Sequence, residues 1–264
     1  MAPILSVTSE QLNFWMVSFL WPFVRIVALV GSAPILGEAA VPRAVKVAIA
    51  LLLALVITPT LDAAPVVPLI SAAGLWILIQ QVLIGAAMGF SMRMVFAAVQ
   101  VAGEYVGLQM GLSFASFFDP TSGGTTMVLA RLLNVMAMLV FLSIDGHLML
   151  IRTLAESFRA LPIADAPLAR GGWFLLASSG AQIISGGLML ALPLIATLLS
   201  LNLAMGILNR VSPQFSIFSV GFPITLLAGI GMLQLLMQYL APFLQPRFGA
   251  GFDLIPQFLQ NLRP

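Results

Sequence analysis

The chain has 264 residues, of which 61% are hydrophobic and 8% are charged, and its mean hydropathy is +1.09. This composition leaves too little polar surface for a soluble globule, so it predicts an all-α, multi-helix integral membrane protein. The eleven basic and nine acidic residues include no basic run, which speaks against a nucleic-acid partner. No cysteine and a single histidine leave no disulfide framework and predict no metal or other cofactor.

Two apolar runs open the chain. Residues 13–36 are apolar apart from Arg25 and predict one helix kinked at Pro22. Residues 47–57 come after two basic residues and are short for a bilayer crossing, so they predict a weak span.

The middle of the chain predicts three further helices. After a proline-broken turn, residues 69–92 predict a strong helix, and Arg93 ends the uncharged stretch. Residues 94–118 and 127–151 are also helical in pattern. The positive-inside rule places Arg93 and the basic connector at 152–170 on the cytoplasmic side, so these two helices should form an out-and-back pair.

The C-terminal third predicts a helical hairpin. Residues 173–208 and 215–243 are two long apolar arms on either side of the short turn at 209–213. Each arm contains a proline, Pro193 or Pro223, so we expect bent helices.

A ridge of small residues lies in the fourth predicted helix. Gly103, Gly107, Gly111 and Ala115 recur every four residues, which places them on one helical face without side-chain bulk. In a membrane such a ridge lets another backbone approach closely. The spacing therefore predicts close helix packing.

An apolar, aromatic face precedes the break at Asp119-Pro120. Met110, Phe114, Phe117 and Phe118 have the spacing of one helical face. Such a face ordinarily packs in a core. Bulky aromatic side chains directly before a Gly/Pro-rich loop would also suit a water-excluding plug, and both interpretations stay open from the residues alone.

Five charges lie within or beside apolar runs: Arg25, Glu104, Arg131, Asp145 and Arg210. A charge that faces lipid costs at least about 2.5 kcal/mol, so each should face protein or water, within the chain or at another subunit. Glu104, between two glutamines, is either a satisfied polar cluster or a proton-carrying group. Arg210 either sets topology in the hairpin turn or contacts a partner.

Four blocks in order resemble the FliR family of flagellar type III export-gate proteins (FliR/SpaR/SctT). They are SAPILGEAAVPRAVKVAIALLLALVITP (residues 32–59), QQVLIGAAMGF (80–90), AGEYVGLQMGLSFASFFDP (102–120) and LNLAMGILNRVSPQFSIFSVGFPITLLAGI (201–230). The resemblance covers nearly the whole chain.

The resemblance implies one copy of this chain in a pore with FliP and FliQ, acting with FlhB and other export-apparatus components on unfolded flagellar proteins. It places that pore in the inner membrane, at the centre of the flagellar basal body. It implies a FliP-like part at 1–170 and a FliQ-like hairpin with a tail at 171–264. A plug loop at about 107–126 would put Phe114, Phe117 and Phe118 in or near the lumen.

Two other functions stay open: a self-contained multi-span transporter for a small solute, and a passive assembly factor for FliP oligomers. The chain has no recognisable catalytic motif, so an enzyme is not predicted.

Overall fold

The computed structural model describes residues 9–61, 65, 67–68, 71–112, 128–212 and 221–263, with side chains from residue 16 onward. These residues are mostly helical and include no β-strand, which confirms the all-α prediction. The helices are α1 (Ser9–Ser32), α2 (Arg43–Ile57), α3 (Ala72–Gln109), α4 (Val128–Ser143), α5 (Gly146–Ala160), α6 (Arg170–Ser179), α7 (Ala181–Val211) and α8 (Phe222–Gln260), with a 3₁₀ turn at Thr58–Thr60.

The chain is a multi-pass membrane protein. Within the described residues, four helical stretches are long and apolar enough to cross a bilayer: Arg43–Thr60, Ala72–Gln109, Arg170–Val211 and Phe222–Gln260. The bent pair α4 and α5 could supply a fifth. Helix α3 has 38 residues and is therefore about 57 Å long, well beyond the roughly 30 Å of a hydrocarbon core.

The prediction of separate helices at 69–92 and 94–118 is wrong, because one helix covers residues 72–109. Helix α3 continues through Arg93 without a break, and Arg93 is exposed on its surface. A charged side chain on a helix surface does not interrupt the backbone hydrogen bonds, and no glycine or proline marks a break here.

The prediction of one helix at 127–151 is also wrong. Helices α4 and α5 meet at an angle of 66°, and Asp145 at the bend has a φ of 56°. Aspartate tolerates this left-handed conformation better than most residues. The next residue, Gly146, lies against the ring of Phe141, and a Cβ there would be 2.5 Å from a ring carbon. The bend thus needs a residue without a side chain at 146.

The C-terminal arms differ from the prediction in detail. Pro193 lies inside α7 as expected, whereas Pro223 is in the first turn of α8, where a missing N–H breaks no helical bond. Arg210 lies in the last turn of α7 and not in a loop. Arg247 lies within α8, which extends well beyond the predicted arm at 215–243.

Two compact units make up the chain, and each combines distant segments. Unit 1 comprises Met1–Arg93, His147–Ser178 and Gly251–Pro264, and unit 2 comprises Met94–Gly146 and Ser179–Ala250. The expected division at residue 170 concerns likeness to two other proteins and stays a prediction.

In unit 1, α1 and α3 pack backbone to backbone. A Cβ at Gly85 would lie 2.9 Å from the Cβ of Ala28, and one at Gly89 would lie 2.8 Å from the amide nitrogen of Ala33. Glycine at both positions removes the bulk that would hold these two helices apart.

In unit 2, the C-terminal part of α3 is the central element. A Cβ at Gly187 of α7 would lie 2.8 Å from the carbonyl oxygen of Ala98. Phe96 of α3 packs against Phe141 of α4 and Phe248 of α8, with ring centroids 5.6 and 5.3 Å away. Helices α4, α7 and α8 therefore all contact the same stretch of α3.

Candidate functional site

Helix α3 ends in a Schellman motif at the start of the range predicted for the plug loop, about 107–126. The N–H of Gly111 donates to the carbonyl of Leu108 over 3.1 Å, and the N–H of Leu112 donates to that of Gly107 over 3.0 Å. Gly111 itself has a φ of 78°, which glycine adopts at no steric cost. The predicted continuation of this helix beyond Gly111 is therefore wrong, and Gly111 is the helix cap.

The remaining part of the glycine ridge lies inside the chain. Gly103 is buried against α4, where a Cβ would lie 2.8 Å from the amide nitrogen of Ala130 and closer still to its Cα. Gly107, one turn further along, is buried as well. At Gly103 the neighbouring backbone belongs to the same polypeptide.

Met110, at the end of α3, packs against α8. Its side chain is 2% exposed, and a Cβ at Gly229 would lie 2.5 Å from the Cε atom of Met110. This methionine packs within the chain at the end of α3, and its assignment to the plug face stays a prediction.

The other predicted plug residues, Phe114, Phe117 and Phe118, lie outside the described residues, as does Ala115 of the ridge. Their assignments stay predictions.

Glu104 has a neutral partner one turn away. Its Oε1 accepts a hydrogen bond of 3.2 Å from Nε2 of Gln100, and both side chains are half-buried. Gln109 is half-buried near the end of the same helix. The contact is an ordinary i, i+4 pair, which a satisfied polar cluster would contain.

Arg25 is completely buried in unit 1 and is bound by neutral groups. Its Nε donates to Oε1 of Gln81 over 2.7 Å, and Nη1 donates to Oγ of Ser157 over 3.2 Å. Nη2 donates to the carbonyl of Leu161 over 3.1 Å, and the guanidinium lies 4.3 Å from the ring centroid of Phe158. The planar, five-donor fork of arginine suits this divergent set of acceptors.

A second arginine caps the same end of α5. Nε of Arg263 donates to the carbonyl of Ala160 over 2.7 Å, and its Nη2 contacts the same oxygen. Arg25 occupies the next carbonyl, that of Leu161. Helix C-termini leave carbonyls without partners, and cations stabilise them there. Two arginines that are distant in the sequence therefore bind the carbonyl groups at the C-terminal end of α5.

The other three predicted charged residues do not lie together at one site. Arg131, Asp145 and Arg210 are each exposed on the chain and lie at the start of α4, at the α4–α5 bend and in the last turn of α7. Arg131 and Asp145 are not on one helix. Nδ1 of His147 is buried without a hydrogen-bond partner in the described part of the chain.

Sequence reasoning missed two features. One is the cluster of Phe96, Phe141 and Phe248, in which Phe141 and Phe248 also meet edge to face at 5.2 Å. The other is the pair of adjacent buried glutamines, in which Gln81 holds Arg25 and Gln80 donates to the carbonyl of Ala166 over 2.7 Å. Consecutive glutamines inside an apolar helix were the available signal, because such groups need polar partners.

Within the described residues, no three histidine or acidic side chains come close enough to hold a metal ion. The contacts hold the C-terminal end of α3 at Met110 and Gly111 and the C-terminal end of α5 at Ala160 and Leu161.

Comparison with known proteins points to one family. Residues 16–251 match the family model described as bacterial export proteins, family 1. The flagellar biosynthetic protein FliR of Pectobacterium carotovorum subsp. carotovorum is 49% identical over 98% of this chain and 99% of its own length. FliR of Escherichia coli strain K12 is 48% identical over the same shares. FliR of Bacillus subtilis strain 168 is 31% identical over 82% of this chain and 84% of its own.

Proposed function

Because the chain belongs to the FliR family of bacterial export proteins, we propose that it is a wall and plug subunit of the flagellar protein export channel. Its place among the export-apparatus components follows from the family. The plug, the substrates and the individual partners are the further content of the proposal.

The anchored end of α3 carries the plug assignment. Gly111 closes the helix and Met110 is buried against Gly229, so the backbone leaves a fixed point as it enters residues 113–127. That segment contains Phe114, Phe117 and Phe118. A plug needs a rigid attachment and bulky apolar side chains beyond it, and this stretch provides both.

Exposed apolar surface supports a channel that is built from several different subunits. Large side chains are exposed along α2 and α7, including Leu52 at 63%, Val56 at 72% and Leu203 at 69%. Such surface needs lipid or protein as cover. We assign part of it to FliP and FliQ around a single copy of this chain, with FlhB as a further contact near Arg210. The FliP-like and FliQ-like division at residue 170 belongs to this proposal.

In this proposal the complex lies in the bacterial inner membrane within the flagellar basal body and passes unfolded flagellar proteins. The chain contributes the barrier that closes the path at rest. The energy for transport comes from other subunits or from the membrane gradient.

The test is the resting leak of the assembled complex. Phe117→Ala, Phe118→Ala or deletion of residues 113–116 should raise the conductance of reconstituted complexes for ions or small solutes. The deletion begins after Leu112 so that the cap of α3 stays intact. Phe90→Ala, which removes an exposed ring on α3, is the matched control. An unchanged leak in fully assembled variants would refute the plug.

A further inference from the structure

Three chain segments meet at one junction in unit 1, and each supplies an arginine. Arg263 contacts the carbonyl of Ala160, which places it beside Arg159 at the end of α5. The N–H of Ala169 donates to the carbonyl of Leu262 over 3.0 Å, which places Arg170 at the same junction. These two contacts bring the three arginine-bearing segments together, and we name Arg159, Arg170 and Arg263 the arginine junction.

All three side chains are exposed. Arg263 uses its Nε and one terminal nitrogen on Ala160, and the guanidinium has five N–H donors, so three donors remain. Within the described residues, no hydrogen bond or ion pair engages the side chains of Arg159 and Arg170. The junction therefore presents donors that its own packing does not consume.

Acidic side chains do not neutralise the junction. Asp165 lies in the connection between α5 and α6, and Glu156 is paired with Arg152 over 2.9 Å. Asp253 of α8 lines a cleft together with Glu156 and Ala160. With Arg152 counted, four arginines stand against three acidic residues in residues 146–172 and 253–263. These residues therefore carry a net positive charge.

The junction lies where two candidate spans end. The apolar stretch Arg170–Val211 begins at it, and the stretch Phe222–Gln260 ends three residues before Arg263. Phe174, one helical turn after Arg170, is 78% exposed. An arginine beside an exposed aromatic ring at a span end is the arrangement expected at the boundary between lipid headgroups and acyl chains.

We propose that the arginine junction binds the headgroup of an anionic phospholipid. The phosphate would lie against Arg159, Arg170 and Arg263, and an acyl chain would lie beside Phe174. A lipid fits better than an acidic protein segment, because the charge is coupled to exposed apolar surface at a span boundary. The site is separate from the plug, so its failure would leave the channel proposal untouched.

The experiment measures which lipids the assembled complex retains. The full chain, purified with its partner subunits, is placed in nanodiscs of equal parts phosphatidylglycerol and phosphatidylcholine, and bound lipid is identified by native mass spectrometry. We expect the wild type to retain phosphatidylglycerol in preference to phosphatidylcholine.

Removing charge should weaken this preference in steps. Arg159→Gln and Arg170→Gln should each lower the affinity for phosphatidylglycerol about fivefold, since each basic side chain near an anionic surface contributes about one such factor. Arg43→Gln removes an exposed arginine outside the junction and should change the affinity less than twofold. Arg159→Lys with Arg170→Lys keeps the charge and should retain the preference, which separates charge loss from misfolding.

Three outcomes would overturn the proposal: equal retention of both lipids by the wild type, an equal effect of Arg43→Gln, or loss of a protein subunit in place of lipid. The last would identify an acidic protein segment as the occupant.

Discussion

Replacement of Gly103 by alanine should separate α3 from α4. A Cβ at this position would lie 2.8 Å from the amide nitrogen of Ala130, whereas ordinary van der Waals contact begins at 3.4 Å. The obstructing atoms are backbone, so the methyl group cannot be accommodated by a rotamer change. Because the Cα of Ala130 is closer still, the two helices must move apart by more than about 0.6 Å. A gap of about 0.5–1 Å forfeits a quarter to a half of the dispersion energy of the atoms involved.

The expected cost is about 1–3 kcal/mol, the usual range for overpacking in a tight core. Replacing glycine by alanine stabilises any helix interior by about 0.5–1 kcal/mol. The steric cost at Gly103 is therefore measured by comparison with Gly→Ala substitutions at helix positions that have free space. Gly206→Ala and Gly231→Ala serve as controls, since nothing lies within 4 Å of a Cβ at either position. The assay is the thermal midpoint of the purified complex.

Gly103→Ala should unfold about 3–10 °C below these controls, given the roughly 2–4 °C shift per kcal/mol for a domain of this size. A midpoint equal to that of the controls would refute the close contact between α3 and α4.

Three other substitutions test the remaining contacts. Arg25→Gln leaves the carbonyl of Leu161 and the amide oxygen of Gln81 without their donor and should cost about 1–3 kcal/mol for each buried acceptor that stays unpaired; wild-type accumulation and protease resistance in membranes would contradict this. Met110→Ala opens a cavity opposite Gly229 and should cost about 2–5 kcal/mol in thermal stability, whereas Met16→Ala, at an exposed position, should stay within about 0.5 kcal/mol. Glu104→Gln keeps the contact with Gln100 possible, so secretion should stay within about twofold of wild type; a larger loss in a secretion assay would revive a proton-carrying role.

The all-α fold class and the burial of Arg25 could be predicted from the sequence. Long apolar runs admit few alternatives to membrane helices, and a charge within such a run has to find protein. The partners of Arg25 were not readable, because Gln81, Ser157 and Leu161 lie 56, 132 and 136 residues away. Contacts over such separations depend on the packing of whole helices.

Helix ends were predicted poorly where one residue type can act in two ways. Gly103 and Gly111 share a four-residue repeat, yet the first lies at a helix contact and the second is a left-handed cap. The spacing is the same for both, and the difference arises from the neighbours that each glycine meets in the folded chain. Charged residues show the same ambiguity. Helix α3 continues through the exposed Arg93, whereas Asp145, with a positive φ, lies at the bend after α4.

The composition of the purified particle tests the central claim most directly. Native mass spectrometry of this chain, co-expressed with FliP and FliQ, should find a discrete hetero-oligomer that contains one copy of it, with no stable population of the chain alone. A folded, transport-active monomer surrounded by lipid would contradict the account and would favour a self-contained transporter.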